Sequence, residues 1–181
     1  MKHFRVFLFL IAASAAAQPF HFGLRGGFAF QDVIDSRGNL RAASKNWTLG
    51  PTAEVTLPFG FAAGADLLYR RLEYQDPRSN TANSWTVPLL VKYYLPGDGP
   101  RYFIEAGPSF RALGNLPRIE GNATKGLALG TGVRFGAGVA RFSLGLRYSR
   151  YGQGRGLDVN APAGTLRTKE NQLDLLFGLT F

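Results

Sequence analysis

His21 is the only imidazole in the sequence beyond His3, and cysteine is absent. Acid–base, nucleophilic or metal chemistry would therefore have to gather around His21. A nucleophile needs a base within hydrogen-bond reach. No serine lies two residues from His21, and the first carboxylates after it are Asp32 and Asp35. One histidine without cysteine leaves only carboxylates to bind a metal, and they show no ligand spacing. Gly26-Gly27 and Gly136-Ala137-Gly138 fall in a strand and a tight turn, which is not the context a phosphate-cradling loop requires. These residues imply no catalytic, cofactor-binding or metal site, and His21 reads as a polar residue at the end of a strand.

Charge placement is more informative. Arg25, Glu54, Asp66, Lys92, Glu105, Arg134, Arg147 and Asp174 recur once per extended segment, with four of each sign. All sit near mid-segment on the polar side of a period-two alternation. The stretch from Trp47 shows the pattern: Trp47, Leu49, Pro51, Ala53, Val55 and Leu57 alternate with Thr48, Gly50, Thr52, Glu54 and Thr56. Such alternation marks strands with two unlike faces. Eight segments follow it, at 20–31, 47–58, 61–74, 84–95, 101–112, 126–136, 141–151 and 171–181. Each is about eleven residues or more, the length a tilted membrane-crossing strand needs and longer than the usual soluble strand. Their connections alternate in length. Those at 59–60, 96–100 and 136–140 are tight, whereas those at 32–46, 75–83, 113–125 and 152–170 are longer and polar. This predicts an all-β fold, an eight-stranded antiparallel up-and-down transmembrane β-barrel, with both termini on the short-turn side.

The first residues predict export. Lys2 and Arg5 precede an apolar run over 6–13, and Ala15 and Ala17 occupy A-x-A positions. That run is too short to span a bilayer, which takes roughly 20 apolar residues. The expected division is a signal peptide over 1–17 and a barrel domain over 18–181. Loss of Lys2 and Arg5 lowers the formal charge by two, from +9 to +7. The remaining basic residues are scattered with no cluster, and with a secretion signal they argue against a nucleic-acid partner. No later stretch is apolar enough for a membrane helix, so a membrane could be crossed only by strands.

Alternation alone does not say which face is outside, since a soluble barrel has the same period in the opposite sense. Three features favour a polar lumen. The polar parity is rich in glycine, including Gly23, Gly27, Gly50, Gly64, Gly107, Gly130, Gly132, Gly145 and Gly178. An eight-stranded interior has little room. Aromatic residues gather near both strand ends, Phe20, Phe22, Phe61, Tyr93, Tyr102, Phe135, Phe142 and Phe181 at one and Phe28, Phe30, Trp47, Tyr69, Trp85, Phe110 and Tyr148 at the other. Two belts suit the two interfaces of a bilayer. The charges balance in sign, as enclosed charges must. Glu54 is expected beside Arg25, and Glu105 between Lys92 and Arg134; Arg25 and Asp174 also fall on neighbouring strands.

Three phrases, in the order of strands four, five and seven, carry a family resemblance. They are Val87-Pro88-Leu89-Leu90-Val91-Lys92-Tyr93-Tyr94, Tyr102-Phe103-Ile104-Glu105-Ala106-Gly107-Pro108-Ser109 and Leu144-Gly145-Leu146-Arg147-Tyr148-Ser149, and with them the chain resembles the PorT-type and OmpA-like outer-membrane β-barrel families. The terminal series Leu173, Leu175, Phe177, Leu179 and Phe181 resembles the signal by which the barrel-assembly machinery selects its clients. The resemblance implies a Gram-negative outer-membrane location, with outer-membrane lipids and lipopolysaccharide around the barrel. It does not fix a role, because these families are functionally diverse. Three readings follow: a structural or interaction barrel with a closed lumen, a PorT-type secretion or transport accessory, and a lipid A-modifying enzyme. The missing serine beside His21 counts against the last. The long connections carry Arg37, Arg41, Lys45, Arg78, Arg118, Lys125, Arg155, Arg167 and Lys169 against fewer acids. Lipopolysaccharide phosphates would favour these cations without any specific ligand.

Overall fold

Alternating side chains become paired strands along the whole of the computed structural model, which describes residues 20–30, 34–35, 41–42, 46–76, 78–97, 99–114, 124–137, 140–152, 167–168 and 170–181. The expected signal peptide lies outside these residues. The strands are β1 (Phe20–Ala29), β2 (Ile34–Asp35), β3 (Arg41–Ala42), β4 (Trp47–Thr56), β5 (Phe61–Asp66), β6 (Leu68–Asp76), β7 (Arg78–Tyr94), β8 (Arg101–Gly114), β9 (Lys125–Ala137), β10 (Ala140–Tyr151), β11 (Arg167–Thr168) and β12 (Asn171–Thr180). A short helical turn, Pro58–Gly60, joins β4 to β5. Phe59 and Gly60 both take positive φ there, 62° and 80°, and a glycine at the second position relieves the steric cost of that reversal.

β1 pairs with both β4 and β12, so the sheet closes on itself. β5 and β6 form one stave interrupted at Leu67. Leu67 N–H donates to the Pro51 carbonyl at 3.0 Å, but Pro51 has no N–H to return the bond. The closed barrel therefore has eight antiparallel staves, each hydrogen-bonded to its neighbours in sequence. Closure removes the free strand edges that an open sheet would expose.

The register fixes the stagger. Phe20 faces Val55, Val55 faces Ala63, Ala63 faces Val91, and Val91 faces Ala106. Ala106 then faces Leu129, Leu129 faces Tyr148, and Tyr148 faces Leu173. Leu173 accepts from Phe30 N–H at 2.8 Å, so the circuit returns ten residues beyond its start. A stagger of this size in an eight-stranded ring tilts the strands by about 40° and leaves an interior that side chains can fill.

Glycine accommodates the tight curvature. A Cβ on Gly50 would collide with the Leu67 carbonyl, and one on Gly107 with the Leu89 carbonyl. The apolar parity faces out, with Leu24, Val91, Ile104, Leu127 and Leu129 all more than half exposed. The inner parity is mainly polar, and its buried apolar cluster is small: Ala62, Tyr94 and Phe103.

The 75–83 connection is shorter than the sequence suggests. β6 and β7 stay in register from Leu68↔Thr86 to Asp76↔Arg78, making strand of a polar stretch expected to be a loop. Main-chain pairing does not require apolar side chains, so polarity here does not mark the end of the strand. Two small pairings extend the same end: β3 joins β6, and β11 pairs with β2.

Candidate functional site

The inner parity carries its long charged residues opposite small ones. Arg25 faces Gly50 on one side and Gly178 on the other, and Glu105 faces Gly130. Arg147 also faces Gly130, while Lys92 faces Ala62. Because small neighbours leave space, these side chains extend across the lumen.

Seven of the eight charges read from the sequence form one connected network. Arg134 Nη1 donates to Glu54 Oε1 at 2.6 Å, and Lys92 Nζ donates to Glu54 Oε2 at 2.7 Å. Lys92 also lies 3.8 Å from Glu105 Oε2. Arg147 bridges Glu105 and Asp66 at 2.7 and 2.8 Å. Arg25 contacts Asp66 at 2.9 Å and Glu105 at 3.9 Å. Thr52 Oγ1 donates to Asp66 at 2.6 Å, and Tyr94 Oη to both Glu54 oxygens at 3.0 Å. The Arg134 guanidinium lies 3.7 Å from the Tyr94 ring centroid. Asp174, the eighth charge, is held apart from this network by Arg70 at 2.7 Å and Gln172 Nε2 at 2.6 Å.

The partners differ from those expected of adjacent strands. Glu54 faces His21 in register and is not paired with Arg25. Arg134 faces Arg101, so it reaches Glu54 across the lumen and not Glu105. Arg25 and Asp174 are likewise held by other residues. Of the expected pairs, only Lys92 and Glu105 face each other directly, and their charged atoms are 3.8 Å apart; Arg147 and Asp174 also face each other in register. The physical reason is the stagger: mid-strand residues of neighbouring staves lie at different heights, while those two or more staves away can meet.

Sequence reasoning missed Arg70, Arg111, Gln172 and Tyr94, all buried on the inner face. Strand parity was the available signal. Arg70 points in while Arg71 is exposed, and Arg111 stacks over Tyr151 with 4.0 Å to the ring centroid. His21 is also buried: its Nδ1 lies 3.3 Å from the Phe181 main-chain oxygen, and its Nε2 accepts from Arg141 at 2.5 Å. No side-chain carboxylate or hydroxyl is hydrogen-bonded to the ring among the described residues. Leu173, Leu175, Phe177, Leu179 and Phe181 lie on the outward parity of the last stave, with Phe177 and Phe181 exposed.

Chemically, this interior is a buried cluster of ion pairs. Isolated charges in a space removed from water cost several kcal/mol each, so such a cluster persists only when its members satisfy one another. A closed, tilted, eight-stranded barrel with an apolar exterior and an ion-paired interior belongs to the class of membrane-spanning β-barrels. Residues 5–181 match the outer membrane protein beta-barrel domain family, and the chain belongs to it. Membership implies an outer-membrane location in a Gram-negative cell. The fold resembles that of the outer membrane protein OprG from Pseudomonas aeruginosa, with a TM-score of 0.57 at 15% identity, covering 91% of this chain and 97% of that one. It also resembles Neisserial surface protein A (NspA), with a TM-score of 0.57 at 13% identity over 89% and 95% of the two chains. No curated protein matches the sequence.

Proposed function

We propose that this chain is a structural or interaction barrel with a closed lumen, not an enzyme, with its longer connections outward and both termini in the periplasm. The observation that carries this reading is the network joining Arg25, Glu54, Asp66, Lys92, Glu105, Arg134 and Arg147 across the interior. A plug of this kind stiffens the wall and blocks passage. A rigid wall with outward connections suits a role exercised at the loops, where binding residues concentrate in many proteins. The basic residues of those connections make lipopolysaccharide phosphate the natural surrounding, and the apolar series ending at Phe181 makes the barrel-assembly machinery the expected partner in biogenesis.

His21 supports the non-enzymatic reading, since its hydrogen bonds go to a main-chain oxygen and an arginine. The phrases over 87–94, 102–109 and 144–149 add the finer resemblance to PorT-type barrels, in which the same closed wall would serve a secretion partner. Reconstitution of the purified protein in planar bilayers tests the closed lumen. The expected record is flat under voltage. Reproducible porin-like single-channel steps from the monomer would overturn the proposal.

A further inference from the structure

At the short-turn mouth of the barrel a cavity of about 450 Å³ is lined by Arg101, Arg134 and Arg141, with Thr56 and Phe135. We propose that this mouth is a binding site for a phosphate group, held by the three guanidinium groups.

The arrangement carries more positive charge than its own partners neutralise. Arg134 is paired with Glu54, but Glu54 also takes Lys92. Neither Arg101 nor Arg141 has a carboxylate partner among the described residues. Arg101 and Arg134 are direct cross-strand partners, a placement in which like charges repel. Both also act on Arg141 as like charges, offset in part by Glu54. A bound dianion would turn this repulsion into attraction.

The donors are also positioned in advance. His21 Nδ1–H donates to the Phe181 main-chain oxygen, which leaves Nε2 to accept from Arg141. The Tyr94 ring backs the Arg134 guanidinium, whose central carbon lies 3.7 Å from the ring centroid. Thr56, another residue of the cavity lining, has its Oγ1 shielded from solvent without a hydrogen-bond partner. Planar guanidinium forks match the oxygens of a phosphate. The exposed rings of Tyr102, Phe135 and Phe142 lie on the outer wall at this end, and such belts sit at headgroup depth. The phosphate could therefore belong to a phospholipid headgroup or be free in solution.

The test uses the full folded chain in two arms. One titrates inorganic phosphate into the protein in nonionic detergent and follows the heat of binding. The other measures retention of phosphatidylglycerol by native mass spectrometry after extraction from mixed vesicles. One saturable site per barrel is expected in at least one arm, and R101Q/R141Q should weaken it at least tenfold. Binding of both probes points to phosphate itself as sufficient; binding of phosphatidylglycerol alone points to the headgroup. Arg101 is exposed and both substituted residues lie outside the ion-pair network, so circular dichroism should show an intact barrel. R150Q, which removes one positive charge at the exposed Arg150 near the opposite end, should bind as the unaltered protein does. Absence of saturable binding in both arms, or equal binding by folded R101Q/R141Q, would overturn the proposal.

Discussion

Glu105 illustrates what a carboxylate needs inside a membrane barrel. Arg147 bonds it at 2.7 Å, and Lys92 and Arg25 stand 3.8 and 3.9 Å away. Glu105→Gln keeps the shape and removes the charge, leaving three cations with less compensation. Breaking a buried pair costs about 3–5 kcal/mol, whereas a surface charge is worth about 0–1 kcal/mol. Urea unfolding in lipid vesicles should therefore show a several-kcal/mol loss for Glu105→Gln and little change for Arg150→Gln. Equal losses of a few tenths would mean that Glu105 faces water. The charges themselves stood out in the sequence because each lies on the polar parity of its segment. Their partners did not, because pairing depends on stagger, and stagger emerges only when the ring closes. Arg70 was obscured for another reason: Arg70 and Arg71 are adjacent, and only the strand's pleat turns one inward.

Strand identity was legible from alternation, and strand ends less so. The β6–β7 hairpin continues through polar residues to Asp76 and Arg78, because side-chain polarity reports the environment and not the main-chain bonding. The interruption at Leu67 had a visible cause in Pro51, although knowing that the two face each other requires the register. At the last stave, Leu173, Leu175, Leu179 and Phe181 present an apolar face outward, and Phe181 closes the ring by exchanging main-chain hydrogen bonds with Phe22 at 2.9 and 3.3 Å. Phe181→Asp places a charge on that exposed terminal position. It should lower the yield of folded barrel in cells several-fold, read as heat-modifiable mobility on gels. An unchanged yield would remove the proposed assembly role of the terminal series.

For the whole molecule, the main physical consequence is an inversion relative to a soluble barrel: ion pairs inside, hydrocarbon-facing residues outside. The sequence signalled this through small inner residues and two aromatic belts. Its two tryptophans provide a direct probe of the arrangement. Trp47 and Trp85 are 39% and 41% exposed on the outer wall. Tyr69 lies between them, with ring centroids 6.3 and 5.0 Å away. This row sits at the long-connection end, where a belt should meet the headgroup boundary. Fluorescence in vesicles of brominated phospholipids, with bromine placed at different depths, measures that position. Strong quenching is expected from bromines near the headgroup end of the acyl chain, with weaker quenching from bromines near its terminus. Tryptophan emission unaffected at every depth, or quenched most strongly at the bilayer centre, would contradict the outward apolar face and its belts.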